Sequence, residues 1–539
     1  MKSTKTSYVK SKLVPYILFP MIVGILSGFL IFLFKIASSA VMHGSERIYE
    51  SVRQDLRLLL LLIPGAAALG ALSALILTYA RECRGGGIPT AVASIRGLIP
   101  MKWIQGIFVL FGSALITYLA GVPLGNEGPS VQMGAAVGKG SARTAGKNRR
   151  AWDRYLMTGG ACSGFAIATG APLSGILFAL EEAHRRFSTT LFTVASISVL
   201  MGTVTHRYLC FFFKVDTTFF DLAISRVLPM KYLWAAIIIG AMCGLCSLLF
   251  ARFYRAVQRI SPVTGRKLPF WARLVIIFGV TAVLGFWSAD FIGSGHSLIE
   301  AILHGKTLWY GLLLALFIRG VLMICANCEG VSGGIFVPNL AFGALIAALV
   351  SDGLIAAGLV DGSYYAILVV VGMASFLAAS SRTPVTAIAF AAEALCVASN
   401  IIPVVFGVVV SYLIVEVSGR ISFADAVIER RAEAARQGRD PVIVDTHMTV
   451  QKGSFADGME IRDVLWPPTC VVLSMDRKLS DAPHHGSGEV CAGDVLHLHY
   501  QTFEPAETLG ILTAILGDQS EDERTHTHLG SDDHLVPLD

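Results

Sequence analysis

Long apolar runs separated by short polar segments dominate the chain as far as residue 417. They lie near 14–42, 56–78, 103–120, 159–180, 189–213, 232–254, 272–290, 308–325, 334–350, 364–396 and 400–417. Most approach the roughly 20 residues that a helix needs to cross a hydrocarbon core of about 30 Å. Several carry internal Gly and Pro or fall short of that length, which predicts tilted and half-length helices buried in protein. The pattern predicts an all-α polytopic membrane domain.

The pattern changes after residue 418, where charged residues become frequent. Alternating apolar residues at 442–444, 469–473 and 495–500 predict short strands, and 504–516 predicts a helix. We therefore expect a membrane domain over 1–430, with repeats at about 15–225 and 230–425. A linker at 431–440 and a small α+β domain at 441–517 follow, and the polar tail at 518–539 is expected to be disordered.

Composition supports a membrane protein and excludes an ordinary soluble one. The 539 residues are 54% hydrophobic and 15% charged, and the mean hydropathy is +0.64. Lys2, Lys5, Lys10 and Lys12 precede the first run, so the positive-inside rule places the N-terminus in the cytoplasm. A net charge of +5 over this length gives no reason to expect a nucleic-acid partner. The ten scattered cysteines predict no disulfide framework, and we expect no cofactor and no metal.

Two segments of the membrane part resemble each other. Residues 171–181 (APLSGILFALE) and 383–393 (TPVTAIAFAAE) are 212 positions apart. An internal repeat of interrupted helices is typical of transporters whose substrate site lies between the repeats. Glu181 and Glu182 are interpreted as charges at a helix end, whereas Glu393 lies deeper in an apolar run and its partner is not evident.

Three glycine loops ending in proline each precede an apolar helical stretch. They read GGGIP at 85–89, GNEGP at 125–129 and GIFVP at 334–338. Backbone N–H groups at helix N-termini can replace the hydration shell of an anion if the loops converge. The alternative is that the glycines serve helix packing and the prolines cause kinks. Glu127 places a carboxylate in the second loop, and an acid in a membrane is a functional site by default.

The three loops, in this order, resemble the signatures GSGIP, G(K/R)EGP and GxFxP of the CLC family of chloride channels and proton-coupled anion exchangers. The segment at 170–178 also looks like the family's APLAGILF sequence. The resemblance covers roughly residues 15–430. It implies a homodimer with one pore per subunit, each subunit folded as two inverted repeats of tilted and broken helices.

The resemblance also implies site residues. Glu127 would be the gating glutamate, which leaves the anion site when protonated and competes with the anion when ionised. An ungapped count from Gly202 places Asp216 at the inner proton position, although Asp216 could instead cap a helix or pair with Lys214. The implied anion-binding positions are Gly86, Gly87, Ile88, Gly128, Ile335 and Phe336.

Two departures from the family pattern affect the expected function. Gly86 stands where the first signature has serine, so the hydroxyl donor is missing and a fluoride or nitrate preference is an alternative to chloride. Ala424 stands where many members have a pore-lining tyrosine. Phe423 could supply the bulk of that inner gate but not its hydroxyl.

These residues predict a proton-coupled antiporter of chloride or a similar anion, in the inner membrane of a prokaryote, with both termini cytoplasmic. Its partners would be the anion, protons, the lipid membrane and a second copy of the chain. The main alternative is a passive anion channel of the same fold, which Ala424 favours and Asp216 disfavours. An anion-sensing regulator is a more distant alternative, and no nucleophile with an evident base supports a membrane enzyme.

The segment after the linker is similar to the TrkA-C (RCK-C) domain of potassium-transport regulators. The similarity rests on residues 453–464, 470–473 and 492–496. It implies a domain that pairs and that binds a small ligand, such as a cyclic dinucleotide. The alternative is a module that stabilises a dimer without any ligand.

Overall fold

A computed structural model describes residues 2–142, 149–215, 219–220, 226–305, 308–436, 439–477, 488–519 and 528–530. It is predominantly helical, which confirms the predicted fold class. Asp216, the predicted inner proton residue, lies outside the described residues.

Among the described residues, the membrane domain and its exit contain seventeen α-helices, eight of them in the first half. Their bounds are α1 Lys2–Gln54, α2 Leu59–Tyr79, α3 Ile88–Ile95, α4 Trp103–Leu119, α5 Glu127–Ser141, α6 Arg149–Thr169, α7 Pro172–Phe178 and α8 Thr189–Phe213. The second half contains nine more, the last of which leads out of the membrane domain. These are α9 Leu233–Lys267, α10 Phe270–Trp287, α11 His296–Leu303, α12 Trp309–Glu329, α13 Phe336–Ala356, α14 Tyr365–Ser381, α15 Pro384–Glu393, α16 Ile401–Val417 and α17 Phe423–Arg436.

Nine of the described helical segments are long and apolar enough to span a membrane. Two apolar runs that the sequence shows as continuous are each divided into a long and a short helix. The run at 159–180 breaks at Gly170, which has φ +69°, and the run at 364–396 breaks at Arg382, which has φ +57°. A proline opens the short helix in both cases, α7 and α15. The predicted half-length helices are therefore present.

The short helices α7 and α15 pack against each other and cap each other. The Glu181 carboxylate, just beyond α7, accepts hydrogen bonds from the backbone N–H groups of Val385 (2.9 Å) and Thr386 (2.6 Å) at the start of α15. The Glu393 carboxylate, at the end of α15, accepts 2.9 Å hydrogen bonds from Leu173 and Ser174 at the start of α7. This reciprocity requires an antiparallel pair, so equivalent helices of the two repeats run in opposite directions.

The C-terminal part is a small α+β unit. Its strands are β1 Val442–Thr449, β2 Met459–Glu460, β3 Val471–Asp476, β4 Glu489–Val490, β5 Val495–Thr502 and β6 His528–Gly530, and its helix is α18 Pro505–Leu516. A four-stranded sheet has the order β3-β5-β1-β6, and β2 pairs with β4. Strands β1 and β5 are antiparallel over their full length, from Val442 opposite Thr502 to Thr449 opposite Val495.

Two segments differ from the sequence expectation. Residues 431–436, placed in a linker, continue α17, because Ala432 is buried and Ala435 packs against the core of the membrane domain. Residues 528–530, placed in a disordered tail, form β6 and pair with β1 between Ile443 and Asp445. The free edge of a sheet offers unpaired N–H and C=O groups to such a segment.

The C-terminal unit packs against the membrane domain on the face where α1 enters. The Tyr16 hydroxyl of α1 lies 3.6 Å from the Met459 sulfur. The Tyr155 hydroxyl of α6 accepts a 2.9 Å hydrogen bond from the N–H of Leu465, and Arg186 donates to the carbonyl of Val464. The first residues of the first apolar run and the C-terminal unit are therefore on the same side.

Candidate anion site at three converging glycine loops

The three glycine loops meet at one place. The N–H of Gly85 donates to the carbonyl of Gly330 at 2.8 Å, and the N–H of Gly333 donates to the carbonyl of Gly86 at 3.2 Å. The second and third loops are joined by an isolated antiparallel bridge between Gly125 and Gly334. The alternative, that the glycines serve helix packing and the prolines cause kinks, does not by itself require the three loops to meet.

Gly128 lies at the junction of all three loops. A Cβ placed on it would lie 2.6 Å from the Cα of Gly87 and 2.7 Å from the Cα of Gly334. No side chain fits between these backbones, so glycine is required by close approach. The backbones converge within a few ångströms of the N-termini of α3, α5 and α13, whose first turns contain Pro89, Pro129 and Pro338.

Helix N-termini carry unpaired N–H groups and the positive end of the helix dipole, so their convergence favours a bound anion. Ile88 is the first residue of α3 and is buried. Ile335 directly precedes α13, and Phe336 begins it. The Phe336 ring packs edge-on against Phe165 and Phe390, with centroid separations of 5.2 and 5.1 Å. The predicted anion-binding positions are thus brought together at one buried place.

Glu127 is the first residue of α5 and is fully buried. Its carboxylate folds back over the loop, because a side chain on Gly125 would collide with one of its oxygens. The backbone N–H groups of Glu127 itself and of Val337 face the carboxylate. Neither oxygen makes a hydrogen bond of standard geometry to any group in the described part of the chain. The carboxylate therefore lies at the N-termini of α5 and α13, where a small anion would be favoured.

Lys35 is a charged residue that the sequence interpretation did not single out. The positive charge of Lys35 is close enough to attract the Glu127 carboxylate. Its ammonium donates a 3.3 Å hydrogen bond to the carbonyl of Ile167. Asn126, which replaces the basic residue of the second signature, donates to Ser38 on the same face of α1. The sequence did contain a signal that Lys35 is functional, because it is the single charged residue in the apolar run at 14–42.

Lys35 also borders a cavity of about 340 Å³ that contains His206, Arg207 and Glu393 among its lining residues. Lys35 lies nineteen positions along α1 from Tyr16, which touches the C-terminal unit. At 1.5 Å per residue this is about 28 Å, close to the thickness of a hydrocarbon core. The cavity therefore lies about 28 Å along α1 from the contact with the C-terminal unit, and we call it the outer cavity.

The position of the missing serine is filled by other side chains. A Cβ on Gly86 would lie 2.7 Å from the Leu110 Cδ2 and 3.0 Å from the Gln132 Oε1. Gln132 is buried on α5, five residues after Glu127, and its Oε1 has no hydrogen-bond partner among the described residues. The ends of two flexible side chains therefore border the position of a serine Cβ, and a carboxamide stands beside the space that a serine hydroxyl would occupy.

The predicted inner gate lies at the start of α17. Phe423 and Ala424 are both buried, and the Ser422 hydroxyl caps the helix by accepting from the N–H of Asp425 at 3.1 Å. The Phe423 ring packs edge-on against Tyr254 of α9, with centroids 5.1 Å apart. The sequence interpretation missed Tyr254, which lies 170 residues earlier and could be found only from the fold.

Glu182 lies between α7 and α8 on the face that carries the C-terminal unit. Its backbone carbonyl accepts a 2.8 Å hydrogen bond from Arg96. Burial raises the pKa of the Glu182 carboxyl to about 8, and the neighbouring Glu181 carboxylate acts in the same direction, against Arg96 and Arg185. A carboxyl of this kind holds a proton near neutral pH and can release it.

The chain is similar in sequence and fold to known membrane proteins. A family model described as "Voltage gated chloride channel" matches residues 65–416. The fold is similar to that of a slow cyanobacterial Cl⁻/H⁺ antiporter, with a TM-score of 0.69 and 22% identity over 79% of this chain and 99% of the other.

Two further solved structures share the fold. A eukaryotic CLC transporter matches with a TM-score of 0.61 and 20% identity, over 78% of this chain and 74% of the other. A CLC-type fluoride/proton antiporter matches with a TM-score of 0.62 and 19% identity, over 77% of this chain and 98% of the other. With the family model covering most of the membrane domain, the chain belongs to the voltage-gated chloride channel (CLC) family of multi-pass membrane proteins.

Proposed function

We propose that this protein is a proton-coupled antiporter of chloride or a similar small anion, gated by Glu127. The observation that carries the proposal is the buried Glu127 carboxylate at the N-termini of α5 and α13. A carboxylate that occupies an anion site is itself a competitor for that site.

The coupling follows from the two protonation states of Glu127. When the carboxyl is ionised, the helix N-termini favour it, and it excludes an anion from the same N–H groups. When it is protonated, that attraction is lost and the side chain can leave the site to an anion. Anion movement one way and proton movement the other then use the same group. Lys35 supports the scheme, because a cation near the outer cavity would draw anions toward Glu127.

A second protonatable group is needed between Glu127 and the inner face. The sequence points to Asp216, which lies outside the described residues. The structure adds Glu182 as a second candidate, since it is a carboxyl with a raised pKa on the inner face. We infer that one of these two residues exchanges protons with the cytoplasm.

The preference among anions depends on the space around Gly86. Gly86 supplies no hydroxyl, and Leu110 and Gln132 border the position that a serine side chain would take. A carboxamide can donate as well as accept, and its orientation could adjust to the bound anion. Chloride remains the first expectation, and preference for fluoride or nitrate is the alternative.

A passive anion channel is the second candidate function, and Ala424 is the residue that favours it. Alanine offers neither bulk nor a hydroxyl at the inner end of the pathway, and Phe423 packs against Tyr254. A wider inner gate would loosen the coupling between anion and proton. Coupling weaker than in a tyrosine-bearing relative is expected even if the protein is an antiporter.

The remaining proposals concern assembly and location. We place the protein in the inner membrane of a prokaryote as a homodimer with one pore per subunit. The C-terminal unit and the start of α1 share one face, which supports a cytoplasmic location for both termini. Pairing of the TrkA-C-like unit, and its binding of a cyclic dinucleotide-like ligand, stay predictions.

The test is a flux measurement on purified protein in liposomes, with anion efflux and internal pH recorded together. An outward anion gradient should drive protons into the liposomes against their own gradient. Anion efflux without proton movement would identify a channel, and the absence of both would leave only a sensor.

A further inference from the structure

A second cavity, which borders the first glycine loop, is lined by five arginines. It has a volume of about 460 Å³ and lies between the ends of α2, α10, α12 and α17. Its charged lining residues are Arg81, Arg84, Arg273, Arg430, Arg431, Glu82 and Glu329. We call this space the arginine cavity. Five arginines against two glutamates leave a formal excess of three positive charges.

The arginine cavity lies toward the face of the C-terminal unit. Ile99 and Pro100 contribute to its wall. Gly97, just before them, is close to Pro468 of the C-terminal unit, since a Cβ on Gly97 would lie 3.1 Å from the Pro468 ring. A ligand of the cavity would therefore come from the compartment that contains the C-terminal unit.

Of Arg84, Arg273 and Arg431, one is paired with a carboxylate among the described residues. Arg273 forms an ion pair with Glu329, and Arg84 stacks on the Phe270 ring at 3.8 Å from the centroid. Arg431 donates to the backbone carbonyl of Asn327 at 3.1 Å. The Nε groups of Arg273 and Arg431 are buried without a hydrogen-bond partner in the part of the chain that the structure describes.

The arginines also act on one another. Burial lowers the pKa of Arg84, and the nearby charges of Arg81, Arg273 and Arg431 lower it further. The Oε1 of Glu82 is likewise buried without a hydrogen-bond partner in the described ranges. Like charges held together with unpaired donors are stable when an anion is placed among them.

We propose that the arginine cavity binds an anion that carries a phosphate group. The planar guanidinium of arginine can donate two parallel hydrogen bonds, as a fork, to two oxygens of one phosphate. Several guanidinium groups around one space can donate to the remaining phosphate oxygens. Chloride, with a single spherical acceptor, gains no such geometric match. A cavity of this volume is within the usual range for small-molecule ligands.

Occupancy of the cavity would reach the anion loops through Arg431. The guanidinium of Arg431 packs directly against Gly85, the first residue of the first loop, and Gly330 lines the cavity while accepting from Gly85. A phosphate that fixes Arg431 would hold this loop in place. The effect on flux rests on the proposed transport function, whereas binding does not.

Binding is tested on the full-length protein in detergent, with pyrophosphate as the probe and constant ionic strength. Isothermal titration should show saturable binding that added chloride at the same ionic strength does not mimic. Arg81→Gln removes an exposed arginine of the cavity, and Arg84→Lys keeps the charge but removes the fork. Each should weaken binding at least tenfold. Arg420→Gln, an exposed arginine outside the cavity, should leave it unchanged.

The source of the phosphate is distinguished by repeating the titration in nanodiscs. Competition by phosphatidic acid, absent with phosphatidylcholine alone, would identify a lipid headgroup, and undiminished binding would identify a soluble phosphate compound. The proposal is overturned if pyrophosphate does not bind, or if Arg81→Gln and Arg84→Lys bind it as the wild type does. Because no transport is measured, failure here is separate from failure of the antiporter proposal.

Discussion

Gly125 and Gly334, from equivalent loops of the two repeats, exchange a pair of backbone hydrogen bonds of 2.8 and 2.7 Å. The pair satisfies backbone groups that would be costly to leave unpaired inside a membrane protein. It also fixes the N-terminus of α5 against that of α13. The two repeats thus share one rigid junction, and Glu127 lies directly beside it.

Gly128→Ala should disrupt this junction. The added methyl group would press on the backbones of Gly87 and Gly334, and backbone cannot move aside as a flexible side chain can. Overpacking of this kind costs about 1–3 kcal/mol, so we expect a lower melting temperature and loss of anion flux. Gly279→Ala, in a helix with open space around it, is the matched control. Equal flux and stability in the two variants would count against the convergence of the loops.

Glu181→Ala and Glu393→Ala should each destabilise the membrane domain. Each removes a carboxylate that accepts two backbone N–H groups at the start of the opposite short helix. Loss of a helix cap costs about 0.5–2 kcal/mol. Thermal unfolding in detergent measures the effect, with the exposed Glu300→Ala as control. If either variant unfolds as the control does, its carboxylate does not stabilise the repeat interface.

Gly86→Ser should impair the protein unless Leu110 is also made smaller. The serine Cβ would lie 2.7 Å from the Leu110 Cδ2, so the single variant is expected to lose stability and flux. Gly86→Ser combined with Leu110→Ala should recover flux and shift selectivity toward chloride, since a hydroxyl donor is restored. Anion selectivity in liposomes, with Leu110→Ala alone as control, checks this. Wild-type flux in Gly86→Ser alone would show that Leu110 does not hinder a serine side chain at this position.

Proton-coupled flux should depend on internal pH through Glu182. Its pKa is raised to about 8, so the carboxyl keeps its proton below that pH and loses it above. Proton delivery from the inner face should therefore fall as internal pH rises through about 8. Glu182→Gln should give low proton flux without this midpoint, and the exposed Glu433→Gln should behave as wild type. The same midpoint in Glu182→Gln would assign the inner proton step to another residue, with Asp216 the next to test.

Local sequence features predicted correctly that the three glycine loops begin helices, because glycine and proline determine local backbone geometry directly. The loops at 85–89, 125–129 and 334–338 begin helices as expected. The contact of Glu393 with α7 could not be predicted, since it joins residues about 220 positions apart through antiparallel packing. The closed space at Gly86 likewise depends on Leu110 from another helix.

Lys35 is a different case. Its position as a single charge in an apolar run is visible in the sequence, but its proximity to Glu127 is not. Glu182 was interpreted as a helix-end charge. Its burial among Glu181, Arg96, Arg185 and Asp425 depends on how α3 and α17 pack around it. Periodicity alone contains no information about such packing.

The central claim is that one carboxyl, Glu127, couples the two fluxes. It is tested most directly by Glu127→Gln in liposomes, with anion efflux and internal pH recorded together and Glu300→Gln as the control. A glutamine keeps the size of the side chain but can neither ionise nor carry a proton. We predict that anion efflux continues in Glu127→Gln while uphill proton movement disappears. Uphill proton movement at the wild-type ratio to anion efflux would contradict the account.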